Sequence, residues 1–512
     1  VDWFEIRSLD AERATVKFLR LLLLVLLSSL TAPTATYAHV GSKDVFETVS
    51  AGPYKLYVTV RMPTVIPGVA SIEVRSSGAP ISGIRITPLP LTGEASKHPP
   101  TSDPMTRSTA DAAFFTGSLW MMASGSWQVR FEISGDAGAQ TASVPVPAVA
   151  LSTLKMQRGL GITLGMLCLF LVISMAGIIG AAVREARLKP GETPPPARKR
   201  RAVFATVGGL VFMGIIVWLG GVWWNAEAAG YATDVYRPLK VTPFLSGNVL
   251  TLDVQAFHPD NERRSRSNND FLPDHGHLMH LYAIRQPGMD AVFHLHPSLA
   301  SPGEFRISLP AMPAGDYTLY GDVVHATGFP ETLVSTITVP ANIAGGSPGP
   351  DDAAAYPQPL SAGQLGNSCK LPDGYVMVWD RPSPLTANTA YSFRFHLLDA
   401  SGKPATDMQP YMGMAGHAAF VKTDGTVFAH THPEGSAAMA ALTLANGGHD
   451  GMNHDGMDMD MPMGMEMSEH NEAISNTVEF PYGFPSAGRY RIFVQMKHGA
   501  TIETGAFDAS VE

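Results

Sequence analysis

Through most of this chain apolar and polar side chains alternate over short runs. Examples are YKLYVTV (54–60), SWQVRFEI (126–133), VLTLDVQAF (249–257), HLYAIR (280–285), YTLYGDVV (317–324), YVMVWD (375–380), YSFRFHLL (391–398) and YRIFVQM (490–496). Gly, Pro and Ser punctuate them. A period of two with such breaks predicts β-strands. Outside two long apolar segments no stretch keeps a helical period. The expected fold is therefore mainly β, with antiparallel sandwiches as the default architecture.

The apolar segments are LGITLGMLCLFLVISMAGIIGAAV (160–183) and VFATVGGLVFMGIIVWLGGVWW (203–224). Each exceeds the roughly 20 residues needed to cross about 30 Å of hydrocarbon. Neither holds Asp, Glu, Lys, Arg or His, so they read as lipid-facing anchors rather than a transport path. Trp223 and Trp224 suit an interfacial belt. The loop between the spans, 184–202, is rich in Lys and Arg and should stay cytoplasmic. That places residues 39–150 and 225–512 outside. A leader points the same way: Lys17 and Arg20 precede LLLLVLLSSL, and Thr36 and Ala38 sit at small-residue cleavage positions. Residues 1–38 are thus expected to be a signal peptide with an extended n-region, and His39 the mature terminus.

The outer C-terminal half is a repeat. ANIAGGSPGPDDAAAYPQPLSAG (341–363) is a linker by composition and divides 225–340 from 364–512. FLPDHGHLMHLYAIRQPGMDAVFHLHP (271–297) aligns with MQPYMGMAGHAAFVKTDGTVFAHTHP (408–433), and AGDYTLYGDVVH (314–325) with AGRYRIFVQMKH (487–498). His280 then pairs with His417, His294 with His430, His296 with His432, and His325 with His498. From His296 to His325 is 29 residues, but from His432 to His498 is 66. The second copy therefore carries an insertion, about 436–474.

Composition narrows the chemistry. A net charge of −9 argues against a nucleic-acid partner. The two cysteines, Cys168 and Cys369, form no CxxC motif. Metal ligands must come from elsewhere, and all 17 histidines lie in the segments expected outside. Residues two apart on a strand share a face, so His294 with His296, and His430 with His432, can each grip one ion. His280 or His417 on the preceding strand, and His325 or His498 on a later one, are candidates to complete a site. His275 and His277 (HGH) align with Met412 and Met414 (MGM). Copper accepts both donors, thioether preferentially as Cu(I), whereas zinc favours imidazole, carboxylate and thiolate. Within the insertion, GGHDGMNHDGMDMDMPMGMEMSEH (447–470) sets Met452, Met457, Met459, Met461, Met463, Met465 and Met467 beside His449, His454 and His470. Gly, Pro and six carboxylates deny it a core. It reads as a chain of soft donors, or else as a tether or an oxidant scavenger. His39, with its α-amino group, and His98 form a further candidate pair.

The segment 375–512, and more loosely 240–340, resembles bacterial periplasmic β-sandwich domains that accompany heavy-metal handling, through His417, His430 and His432. Residues 39–150 are loosely similar to YtkA-like and CopC-like periplasmic domains, through His39 and GSWQVRFEI. The insertion is similar to Met/His-rich segments of copper-resistance proteins. These resemblances imply Ig-like or cupredoxin-like sandwiches, copper as Cu(I) or Cu(II), with zinc or another divalent ion as the alternative, and an inner-membrane protein with periplasmic domains. The expected function is binding, sequestration or delivery of copper, with no catalytic residue. The alternatives are an accessory or sensor subunit docking a transporter or oxidase, and a copper-dependent oxidoreductase. The last wants four His-x-His pairs and a Cys flanked by His. This chain has three pairs, and Cys369 has no neighbouring His.

Overall fold

Three pairs of antiparallel sheets, each pair sharing one apolar core, carry the alternating runs. The computed structural model describes residues 44–257, 266–341, 343–447 and 474–512, all within one compact unit, Val40–Glu512. His39 and the Met/His run 447–470 thus lie outside the described residues, apart from Gly447.

In the N-terminal domain the side chains of one strand alternate in and out. Leu56, Val58 and Val60 are buried, as are Val129, Phe131 and Ile133 opposite them. The domain's first strand, Val45–Ala51, keeps Val45 and Ala51 in its own core but also reaches a second one. Phe46 packs into the core of the last domain, edge-on to Tyr482. Backbone bonds run from Thr48 N to Glu434 O (2.5 Å) and from Ser436 N to Phe46 O (2.9 Å). Gly435 is required here, because a Cβ would strike the Phe46 carbonyl.

Helices α1 (Arg158–Glu185) and α2 (Pro196–Ala232) are long and apolar enough to cross a membrane. They touch each other through small residues: a side chain at Gly180 would meet Thr206, and one at Gly209 would meet Ile179. Helix α2 extends beyond the apolar stretch at both ends, starting at Pro196 so that the basic PARKRR run forms its first turns.

The two C-terminal repeats share a plan. Each has a four-stranded sheet and a larger sheet in which the HLYAIR or HAAFVK strand lies beside the long strand Gly315–His325 or Gly488–His498. The larger sheets meet face to face. Tyr282, Ile284, Val292 and Tyr320 of repeat 1 form one buried cluster with Ala419, Val421, Phe428 and Phe493 of repeat 2. In the sequence alignment these are the same four positions in each copy. The contact is therefore pseudo-two-fold, each repeat presenting the same patch to the other.

The linker does more than span. Ala353–Ala355 adds a strand beside Val292–Leu295. Past His432 the chain forms a short helix, α3 (Met439–Ala445), that packs on Leu91 of the N-terminal domain.

Candidate metal centre

Eight histidines converge where the larger sheets meet. His280, His294 and His296 place their donor atoms within 4.8 Å of one another, and so do His275, His417 and His432. His277 stacks on His296 with ring centroids 4.0 Å apart, and His430 lies 5.3 Å from His280 across the interface. The reciprocal pair, His294 and His417, is 6.3 Å apart. His280, His294, His417 and His432 are buried.

Local geometry explains who reaches whom. Asp274-His275-Gly276-His277 is a two-residue hairpin turn: Asp274 N bonds His277 O (2.8 Å) and His277 N bonds Asp274 O (3.0 Å). Both central residues have positive φ, 50° at His275 and 84° at Gly276, as a type I′ turn demands. Tyr411-Met412-Gly413-Met414 repeats it, with φ of 50° at Met412 and 81° at Gly413. The first turn carries His275 across to repeat 2, 5.1 Å from His417 and 4.8 Å from His432 between ring centres. The second turn reaches back, placing the Tyr411 hydroxyl 3.3 Å from His294 Nδ1.

Hydrogen bonds fix the tautomers. His294 Nδ1–H donates to Gln495 Oε1 at 2.8 Å, an oxygen that also accepts from Tyr282. The lone pair of His294 is therefore on Nε2. His280 Nε2–H donates to the Asp274 carbonyl at 3.0 Å, which leaves its lone pair on Nδ1. These two lone pairs face each other at 3.2 Å with no proton between them. Two ligands of one tetrahedral ion at about 2.0–2.1 Å each would stand about 3.3 Å apart. His296 Nδ1–H donates to Asp352 at 3.1 Å, so its Nε2 is free, and that atom is buried without a hydrogen bond. Carboxylate–histidine pairs of this kind orient metal ligands.

His430 stands beside the second triad. His430 Nδ1 lies 3.5 Å from Asp322, and its Nε2 lies 3.2 Å from His417 Nδ1. In the repeat alignment Asp322 and Gln495 are equivalent, so each copy orients the other copy's histidine. His275 Nε2, His417 Nε2 and the ring nitrogens of His432 are buried without a hydrogen bond of good geometry. Each such orphan costs about 1–3 kcal/mol. A bound cation would offset that cost.

Burial sets the charge state. It holds His280, His294, His417 and His430 well below the ordinary imidazole range, and the neighbouring rings push the same way. His432 is brought down to about 4, and burial lowers His296 as well. Neutral imidazole is the metal-binding form. A sign follows for the apo protein. These rings favour folding above the unfolded imidazole value, about 6.5, and that stability is lost as pH falls toward their depressed folded values. Each ring contributes up to about 1.4 kcal/mol per pH unit. Between pH 5 and 6.5 these six rings are opposed by three groups: Asp322 and Glu503, each raised to about 7 by burial, and buried Glu47, also raised; His325, raised to about 9, adds its opposition only above pH 6.5. The apo chain should thus show a lower denaturant midpoint at pH 5 than at pH 6.5. A midpoint that is flat or falls as pH rises over that range would refute this reading.

Some expected partners lie elsewhere. His325 is held by Asp270 (2.8 Å) and Glu331 (2.9 Å). Burial opposes its charge, but those two hydrogen bonds outweigh it and raise His325 to about 9. His498 lies between Asp373 (2.9 Å) and Asp407 (3.2 Å). Neither ring belongs to the two triads. Met414 is buried and pairs with Tyr411, while Met412 is half-buried at the turn position equivalent to His275. His98 is exposed, with Glu94 at 3.5 Å. Cys168 is exposed on α1 and Cys369 packs against the core of repeat 2; both are free thiols. Sequence reasoning missed Gln495, Asp352, Asp322 and Tyr411. The linker's paired aspartates and the polar Gln495 within an apolar strand were the signals available.

Residues 370–512 match a family model described as a domain of unknown function (DUF8832). That span is the second repeat. No curated protein matches. Among solved structures, this chain is similar to one concerned with host cell surface retention of a bacterial ice-binding adhesin, at 6% identity, with 89% of this chain and 98% of that one covered and a TM-score of 0.14. Latent PorU from Porphyromonas gingivalis aligns at 9% identity over 92% of this chain and 34% of its own, TM-score 0.14. The α2-macroglobulin of E. coli aligns at 10% identity over 91% of this chain and 25% of its own, TM-score 0.15. The chain thus spans about a third or less of these last two. At such TM-scores the alignments carry no argument about fold or function.

Proposed function

We propose that this chain is a membrane-anchored copper-binding protein that sequesters or delivers the ion from a two-site histidine centre. One observation carries the reading: hydrogen bonds to Gln495 and Asp274 lock two imidazole lone pairs face to face at 3.2 Å in a buried site. Imidazole suits both copper and zinc. Copper is favoured by Met412 at the position His275 holds in the other repeat, and by the thioether run of 447–470. Each domain is read as a cupredoxin-like or Ig-like sandwich. The basic loop between α1 and α2 supports a cytoplasmic loop with periplasmic domains on both sides.

The test is copper titration of the full chain in detergent micelles. Both Cu(I) and Cu(II) should bind tighter than micromolar. Deleting 447–470 should lower the Cu(I) stoichiometry while circular dichroism is unchanged. If neither ion binds tighter than micromolar, the proposal fails.

A second reading, a copper-dependent oxidoreductase, draws on the contiguity of the two triads and on Tyr282, stacked on His294 at 4.2 Å. No cysteine accompanies the centre among the described residues. Oxygen uptake by the copper-loaded chain with a reductant separates the two.

A further inference from the structure

The two repeats treat one constellation differently. In repeat 1, His325 bonds Asp270 and Glu331. Glu331 also accepts from Tyr236 (2.9 Å), Leu239 N (2.7 Å) and the Arg266 guanidinium. The two carboxylates are balanced by two cations, His325 and Arg266. In repeat 2 the equivalents are His498, Asp407 and Glu503. Strand register fixes the last: Val323 lies opposite Glu331, as Met496 lies opposite Glu503.

In repeat 2 Lys403 aligns with the arginine, but among the described residues it pairs with neither Asp407 nor Glu503 and lies beside Asp399 instead. A third carboxylate, Asp373, stands at 2.9 Å from His498 Nε2. None of Asp373, Asp407 and Glu503 pairs with Lys or Arg among the described residues. Glu503 is 6% exposed, and its carboxylate accepts no hydrogen bond among those residues. Buried charge without a partner is costly, so this arrangement calls for a cation. The donor atoms of Asp373, His498 and Glu503 lie within 4.8 Å of one another. Asp407 on Nδ1 orients the ring, and Tyr375 stacks on it at 4.0 Å.

We propose that Asp373, His498 and Glu503 form a third metal site, separate from the eight-histidine centre, that takes a zinc-type divalent cation. One nitrogen and two carboxylates suit a borderline or hard dication and do not suit Cu(I). The site belongs to repeat 2 alone, because Arg266 already neutralises its counterpart in repeat 1.

The test is equilibrium dialysis of the full chain in micelles against Zn²⁺, with metal counted by mass spectrometry. Asp373→Asn and Glu503→Gln should each hold one zinc fewer per chain than wild type. Glu331→Gln, in repeat 1, should not lose it. The one-ion difference should persist in a His296→Ala/His417→Ala background, where the histidine centre is disabled. Zinc should also raise the wild-type unfolding midpoint more than that of Asp373→Asn, whose side chain is partly exposed and whose fold should survive. Equal zinc counts in wild type, Asp373→Asn and Glu503→Gln would overturn the proposal. So would a difference that vanishes in the His-disabled background, since the lost ion would then belong to the centre.

Discussion

Arg491→Met should destabilise the chain by about 3–5 kcal/mol, the cost of leaving one member of a buried ion pair alone. Arg491 is fully buried and bonds both oxygens of Asp508, at 2.7 and 2.9 Å. Its remaining donors go to repeat 1 and the linker: Met289 O at 2.9 Å and Gln358 O at 2.8 Å. One guanidinium thus ties repeat 2 to the hairpin loop of repeat 1. Removing it leaves the Asp508 charge with only the Leu365 N–H (2.9 Å) and strands the buried Met289 carbonyl. Adding Asp508→Asn should recover part of the loss, because the uncompensated charge is then gone. Urea denaturation of the full chain in micelles measures both. Because the clasp holds the two sheets in apposition, Arg491→Met should also weaken copper binding, although it touches no histidine of the centre. A single variant within about 0.5 kcal/mol of wild type would show that the clasp contributes little.

Alanine at both His296 and His417 removes one donor from each triad and should abolish tight Cu(II) binding by the centre. The background from 447–470 is subtracted by making the same pair of changes in the chain lacking that segment. Gln495→Leu is the more discriminating variant. It leaves all eight imidazoles in place and removes the acceptor that keeps the proton on His294 Nδ1. Outer-sphere changes of this kind cost about 10–100-fold in metal affinity. Leu is close in size, so the fold should persist. Wild-type affinity in Gln495→Leu would mean that the tautomer of His294 is not what organises the site.

The strands, the two apolar helices and the pairing of His280 with His417 were legible because they rest on periodicity and on an internal repeat. The assembly was not. A strand's period says that His294 and His296 share a face, but not that this face meets its counterpart in the other repeat. The apolar residues that decide it, Tyr282 and Ala419 among them, look like ordinary core. His325 and His498 align as well as any pair, yet their neighbours differ, and those neighbours lie up to 125 residues away, as with Asp373 and His498. The linker looked like spacer by composition, whereas Asp351 and Asp352 bond His277 and His296.

The turn at His275 has a consequence for ancestry. Reciprocal reach across a pseudo-two-fold contact is the geometry of a homodimer, in which both halves must carry the same residue. Tandem fusion lifts that constraint. One arm can then keep an imidazole while the other exchanges it for the thioether of Met412, and a symmetric vessel becomes one with two unlike ends.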